Sequence, residues 1–282
     1  MSLRKAFSKK GAGKRHNFQF DDLYDDDEHD YSSSVGSSHP TPSQKTPGGV
    51  RVTPPRTAAQ RRYHEAIEGP SSVVVCCGPA GSGKTMVPCE FACRFLEEGR
   101  FQRVILVRPA VPAQEDLGFL PGAVLEKLDP YLRPLYDFFE AVYDKKRFRQ
   151  MMDAGVVEAC AIGYCRGRTF RNSLIIADEM QNATEDQVKM LLTRLGPGSK
   201  MVLTGDPTQH DRGYGSQNGL SDFVDRWERY ERKVAAKLDA ELDAKLEPEL
   251  AAELRAVEIV RFGRADILRN PVIEHVLRAY EG

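Results

Sequence analysis

The sequence predicts an α/β fold, a mainly parallel sheet flanked by helices, preceded by a disordered tail. Three observations carry this. From Arg51 onward, short apolar runs alternate with helical patterns, the alternation that builds βαβ units. Four of the five candidate strands are Val/Ile/Leu-rich, as in strands buried on both faces. A glycine-rich loop follows the first strand, where an open parallel sheet binds its ligand.

The first 50 residues do not read as a folded element. Six basic and no acidic residues lie in 1–15, Asp dominates 21–30, and Ser, Pro and Gly dominate 32–49. Too few apolar groups are present to offset chain entropy, so 1–50 is expected to be a solvated tail. Its basic tip is a second, weaker candidate for contact with nucleic acid. The remainder, 51–282, is expected to form the folded domain.

Within that domain, 57–67 reads as a helix that ends before the first strand, 72–77. Directly after it comes Gly78-Pro79-Ala80-Gly81-Ser82-Gly83-Lys84-Thr85. This fits G-x-x-x-x-G-K-[ST], the loop whose backbone N–H groups wrap the phosphates of a nucleoside triphosphate. Lys84 is expected to reach the β- and γ-phosphates and Thr85 to hold Mg²⁺, while the next helix presents its positive end. Further strands are expected at 103–108, 173–178, 200–205 and 257–262. Between the last two, 232–255 is rich in Ala, Leu, Glu and Lys with Pro248 inside, and reads as one or two charged surface helices.

Strand 173–178 ends in Asp178-Glu179. An Asp at that point holds Mg²⁺ in phosphate-loop enzymes, and the adjacent Glu aligns the attacking water. The strand at 200–205 opens into Asp206-Pro207-Thr208-Gln209, where the Gln209 amide would sense the γ-phosphate or hold the water; a plain polar turn is the alternative. In the helix before the loop, Gln60 would read the adenine edge and Tyr63 would stack on it. The ligands expected are therefore ATP and Mg²⁺.

Composition narrows the setting. The net charge of −1 gives no global attraction to nucleic acid. No apolar stretch approaches the roughly 20 residues of a membrane span, and the N-terminus lacks an apolar signal core. A soluble, cytoplasmic protein without membrane contact is expected. Six cysteines, at 76, 77, 89, 93, 160 and 165, suit reduced core positions; Cys89 and Cys93 also have half-site metal spacing, but lack a matching Cys/His pair nearby.

One loop carries Tyr164, Arg166, Arg168, Thr169 and Arg171, basic groups beside an aromatic ring. It would grip a nucleic-acid backbone. The same arginines would equally pair with carboxylates or face a neighbouring subunit. Three functions compete: an ATPase that moves or remodels nucleic acid, a small-molecule kinase, and a nucleotide-dependent interaction switch. The Asp178-Glu179 pair and the turn after Gly205 favour water as phosphoryl acceptor over a kinase substrate.

Taken together, these residues resemble the PhoH-like ATPases, relatives of the superfamily 1 helicase core. The resemblance covers 55–280 and rests on several runs besides the phosphate loop. They are Leu106-Val107-Arg108-Pro109-Ala110, the run at 117–122, the run at 126–136, and Tyr164-Cys165-Arg166-Gly167-Arg168-Thr169. Asp178-Glu179-Met180-Gln181-Asn182, the run at 192–196, and Thr204-Gly205-Asp206-Pro207-Thr208-Gln209 complete it. The resemblance implies a RecA-like core, Mg²⁺-dependent ATP hydrolysis and a link to RNA or single-stranded nucleic acid. The chain departs from the family at Asn218-Gly219-Leu220, where Ser-Gly-Leu is usual, and at 232–255, which reads as an insertion. The first 50 residues are too short and polar for an upstream nuclease domain, so ribonuclease activity is not expected. By the same resemblance, one RecA-like lobe would need an arginine supplied by a neighbouring subunit, with Arg261, Arg264 and Arg269 as candidates and Arg264 preferred. A closed homo-oligomer, a hexameric ring, is the corresponding expectation.

Overall fold

Continuous apolar runs in the strands set the architecture. The computed structural model describes residues 49–109, 124–209, 218–240 and 253–267. The tail through residue 48, the run at 117–122, residues 241–252 and Arg269 lie outside the described residues.

Six strands form one sheet: β1 Val73–Cys77, β2 Arg103–Arg108, β3 Val157–Ala161, β4 Ser173–Ala177, β5 Lys200–Gly205 and β6 Val257–Arg261. Their order is β3-β2-β4-β5-β1-β6, and every pairing is parallel. This is the sheet the apolar runs predict, with one addition. No strand is predicted at 157–161, where a single Val stands beside Glu, Ala and Cys in place of a Val/Ile/Leu run. As one of the two edge strands it needs burial on fewer sides: Glu158 and Ala159 are half-buried, while Val157, Cys160 and Ala161 are buried.

Helices cover both faces. On one side lie α1 Ala58–Glu68, α2 Met86–Glu97, α3 Val124–Tyr143 and α4 Lys145–Asp153. They pack Tyr63, Phe91, Phe95, Leu135 and Phe139 against Val74, Cys76, Leu106 and Ile176 of the sheet. On the other, α5 Glu185–Leu192 and α6 Gly219–Ala240 pack Val188, Leu191, Leu220 and Val224 against Val75, Ile105, Ile175 and Leu203. Alternate strand residues thus serve separate cores, which is why the runs are apolar throughout.

Local chemistry places the helix starts. Thr57 caps α1, its hydroxyl accepting from the Gln60 N–H at 3.1 Å. Thr184 and Gln187 close a reciprocal capping box on α5, at 3.2 and 2.9 Å. Helix α6 runs unbroken through residue 232, so the charged segment 232–255 begins inside a helix and not at an element boundary. All six cysteines are buried and free, and burial raises the thiols of Cys76, Cys77, Cys89 and Cys93, the last to about 12. Among the described residues no helix is long and apolar enough to cross a membrane.

Candidate functional site

Because all strands are parallel, every strand's C-terminal end faces the same edge, and the candidate residues collect there. The loop leaves β1 at Gly78, whose φ is +155°. A Cβ there would stand 2.6 Å from the Phe262 Cβ and 2.7 Å from its carbonyl oxygen, so glycine alone lets β1 and the end of β6 approach. Gly83, at φ +91°, turns the chain into α2, whose first bond runs from the Val87 N–H to the Gly83 carbonyl at 3.1 Å. Lys84 reaches back across the loop and donates to the Pro79 carbonyl at 2.8 Å; Ser82 Oγ donates to the same oxygen at 2.8 Å.

Helix α1 braces this loop from beneath. Gln60 is 4% exposed and donates from Nε2 to the Ser82 carbonyl at 3.4 Å, while its Oε1 accepts from the Arg56 N–H at 2.8 Å. Tyr63 is fully buried, donates to the Lys84 carbonyl at 2.9 Å, and sets its ring edge-on to Phe262. Burial raises the Tyr63 phenol well above its usual range. The stacking role expected for Tyr63 is therefore corrected: its faces are taken by the core, and its hydroxyl holds the loop.

Across the sheet, β5 is inserted between β1 and β4. That separates the phosphate-loop strand from the Asp178 strand by two spacings, about 10 Å, a gap that side chains span. Thr85 Oγ1 donates to Asp178 Oδ1 at 2.7 Å, and Thr204 of β5 donates to the same oxygen. Arg108, the last residue of β2, donates to Asp178 Oδ2 from Nε at 3.0 Å and also from Nη2. Asp178 is 1% exposed. A buried carboxylate beside a threonine hydroxyl at the start of a helix is an oxygen donor set suited to Mg²⁺.

Glu179 follows at φ +57°, ψ +37°, left-handed for a residue with a side chain. Its Oε2 accepts from Gln181 Nε2 at 2.5 Å, and Gln181 Oε1 in turn accepts from the Asp206 N–H at 3.1 Å. Gln181 thus ties the expected catalytic carboxylate to the turn after β5. In that turn Asp206 Oδ1 accepts from the Thr208 N–H and hydroxyl at 3.0 and 2.6 Å, whereas its Oδ2 is buried without a partner among the described residues. Most buried polar atoms in proteins are hydrogen-bonded, so Oδ2 marks a position for a donor. Gln209 is exposed at the end of the turn, held by its N–H to the Asp206 carbonyl at 3.0 Å.

The structure therefore brings together Gln60, Lys84, Thr85, Asp178, Glu179 and Gln209 at one sheet edge. Arg264 lies beyond β6 at the same edge and is exposed; Arg261 pairs with Glu228 of α6 at 2.5 Å. In the basic loop, Arg168 takes the carboxylate pairing that was one of its expected alternatives. It binds Glu158 through both nitrogens at 2.5 and 2.9 Å and lies over Phe170. Tyr164 is 58% exposed, and Arg166, Thr169 and Arg171 are exposed. Three residues of the site, Arg108, Gln181 and Thr204, carry no role in the sequence reading. All three stand in runs that carry the family resemblance, but the bonds of Arg108 and Thr204 to Asp178 and of Gln181 to Asp206 join residues distant in sequence.

A family model described as "PhoH-like protein" matches residues 52–244. A PhoH-like protein of Mycobacterium leprae is 41% identical over 215 residues, covering 74% of this chain and 61% of that protein. One of Bacillus subtilis is 37% identical over 226 residues, covering 80% and 63%, and Protein PhoH of Escherichia coli K12 is 37% identical over 227 residues, covering 80% and 57%. The chain thus spans about three fifths of the length of these relatives. Among solved structures, a Sulfolobus solfataricus SWI2/SNF2 ATPase core in complex with dsDNA aligns at a TM-score of 0.41 and 13% identity, covering 76% of this chain and 45% of that one.

Proposed function

The chain belongs to the PhoH-like protein family, and on that premise we propose that it binds ATP with Mg²⁺, hydrolyses the ATP, and couples hydrolysis to RNA or single-stranded DNA. The carrying observation is the Thr85–Asp178 hydrogen bond, which joins the phosphate loop to the acidic end of β4 across 93 residues of sequence. In this reading Gly78, Pro79, Ala80, Gly81, Ser82 and Gly83 wrap the phosphates and Lys84 leaves the Pro79 carbonyl for them. Thr85 and Asp178 hold Mg²⁺, which supplies charge neutralisation at the phosphates when bound. Glu179, steadied by Gln181, accepts the proton of the attacking water, and Gln209 orients that water. Gln60 offers the adenine edge the amide hydrogen and lone pair that its described bonds leave over.

Tyr164 and Arg166, which follow the C-terminal end of β3, form the proposed nucleic-acid contact on the same edge as the phosphate loop, whereas Arg171 precedes β4 at the opposite edge. Exposed Arg264 is the proposed donor to a neighbouring subunit's site in a closed ring. The test is free-phosphate release by the purified protein, alone and with RNA, single-stranded DNA or duplex. Phosphate release without any acceptor, accelerated by RNA or single strands and suppressed by salt, is expected. No nucleotide binding would end the reading, and hydrolysis indifferent to every nucleic acid would remove the coupling and favour a nucleotide-dependent switch.

A further inference from the structure

The end of β2 carries a cation aimed at the proposed metal position. Arg108 stands beside β4 in a parallel register that pairs Val107 with Ala177, so its side chain needs only to cross one strand spacing to meet Asp178. Both partners are withdrawn from water, with side chains 13% and 2% exposed. Pro109 follows directly and confines Arg108 to extended backbone, which holds the guanidinium's origin in place.

The hydrogen-bond inventory of Asp178 is full. A carboxylate offers about four lone-pair positions. Oδ1 accepts from Thr85 and Thr204, and Oδ2 accepts twice from Arg108. No position is left for Mg²⁺ or for water on its inner shell. Of the donors, only Arg108 carries charge, and a divalent cation close to it would meet strong repulsion in a site this poor in water.

We propose that Arg108 is the resident counter-cation of Asp178, a positioning residue that keeps Mg²⁺ out of the site until a nucleotide arrives. This rests on the ATP-and-Mg²⁺ reading above. The β- and γ-phosphates bring the negative charge that lets a second cation approach, so Mg²⁺ and nucleotide enter together. Arg108 then gives up one of its two bonds to Oδ2 and turns the freed N–H towards the phosphates. The order follows from charge balance: metal alone adds two positive charges beside a carboxylate already neutralised, whereas metal with nucleotide adds net negative charge.

The test uses Mn²⁺ as a paramagnetic stand-in for Mg²⁺, with free Mn²⁺ followed by electron spin resonance on nucleotide-free protein. Wild-type protein is expected to leave millimolar Mn²⁺ free, and Arg108→Gln to bind it with at least about tenfold tighter half-saturation. Arg108→Lys keeps the charge but fills one lone pair, so its half-saturation is expected between the two. If Arg108→Gln fails to fold, Arg108→Lys against wild type decides the matter. Equal Mn²⁺ binding by wild type and the folded variant would overturn the proposal. A fluorescent ATP analogue titrated into the same wild-type sample separates the two readings. Nucleotide binding together with indifferent Mn²⁺ binding sinks only the role of Arg108, whereas absence of nucleotide binding sinks the function on which it rests.

Discussion

Glu179 occupies a left-handed conformation, and the strain is held by its surroundings: Asp178 is hydrogen-bonded on both oxygens and Gln181 grips the Glu179 carboxylate. A residue kept in a costly conformation beside a ligand loop is typical of a working site. Glu179→Gln preserves the shape and removes the base. Under the proposed function, ATP affinity should stay within a few-fold while turnover falls about a hundredfold or more. Equilibrium binding of a fluorescent nucleotide and steady-state phosphate release check the two halves; near-normal turnover would remove Glu179 from the chemistry. The identity of this residue was legible from its place after an apolar strand. Its link through Gln181 to the turn at Asp206 was not, because the Gln181–Asp206 bond joins segments separated by a helix and a strand.

Between elements, the clearest dependence is that of α1 on β5. Helix α1 ends before β1 with no basic residue in its last turn. Lys200, at the start of β5 and 6% exposed, supplies the missing charge by donating to the carbonyls of Ala66, Ile67 and Gly69 at 2.9, 2.7 and 2.8 Å. Lys200→Met leaves three carbonyls without that donor and should cost about 2–4 kcal/mol in denaturant unfolding. Burial lowers the Lys200 ammonium from 10.5 to about 8. The unfolded chain therefore holds this proton more tightly than the native one, so the penalty is present in full below pH 8 and fades as pH rises from about 8 to 10.5. Measured against Lys200→Met, wild-type stability should climb across that window, and a flat difference would contradict it. Since α1 braces the phosphate loop through Gln60 and Tyr63, the variant should also weaken nucleotide binding in proportion to the fraction unfolded and no further.

At the scale of the molecule, the site draws on β1, β2, β4 and β5, so a ligand bound there ties most of the sheet together. Mg²⁺-ATP at about a hundred times its dissociation constant should stabilise the protein by roughly 2.7 kcal/mol. Thermal unfolding of wild type with and without Mg²⁺-ATP measures this, and Lys84→Ala should abolish the shift while keeping its own ligand-free transition; an equal shift in the variant would place ATP elsewhere. The sequence by itself determined the parallel α/β class, five of the six strands, the phosphate loop and the acidic strand end. Those features are local: an apolar run buried on both faces, a glycine pattern at fixed spacing, and a pair of acids at a strand end each speak within about a dozen residues. Tertiary structure alone decided that β5 enters between β1 and β4, that Tyr63 supports the loop from the core, that Arg168 belongs to Glu158, and that Arg108 fills the last lone pairs of Asp178. Each of these depends on which strand lies beside which, and strand order follows from the summed packing of both sheet faces, which no short stretch of sequence contains.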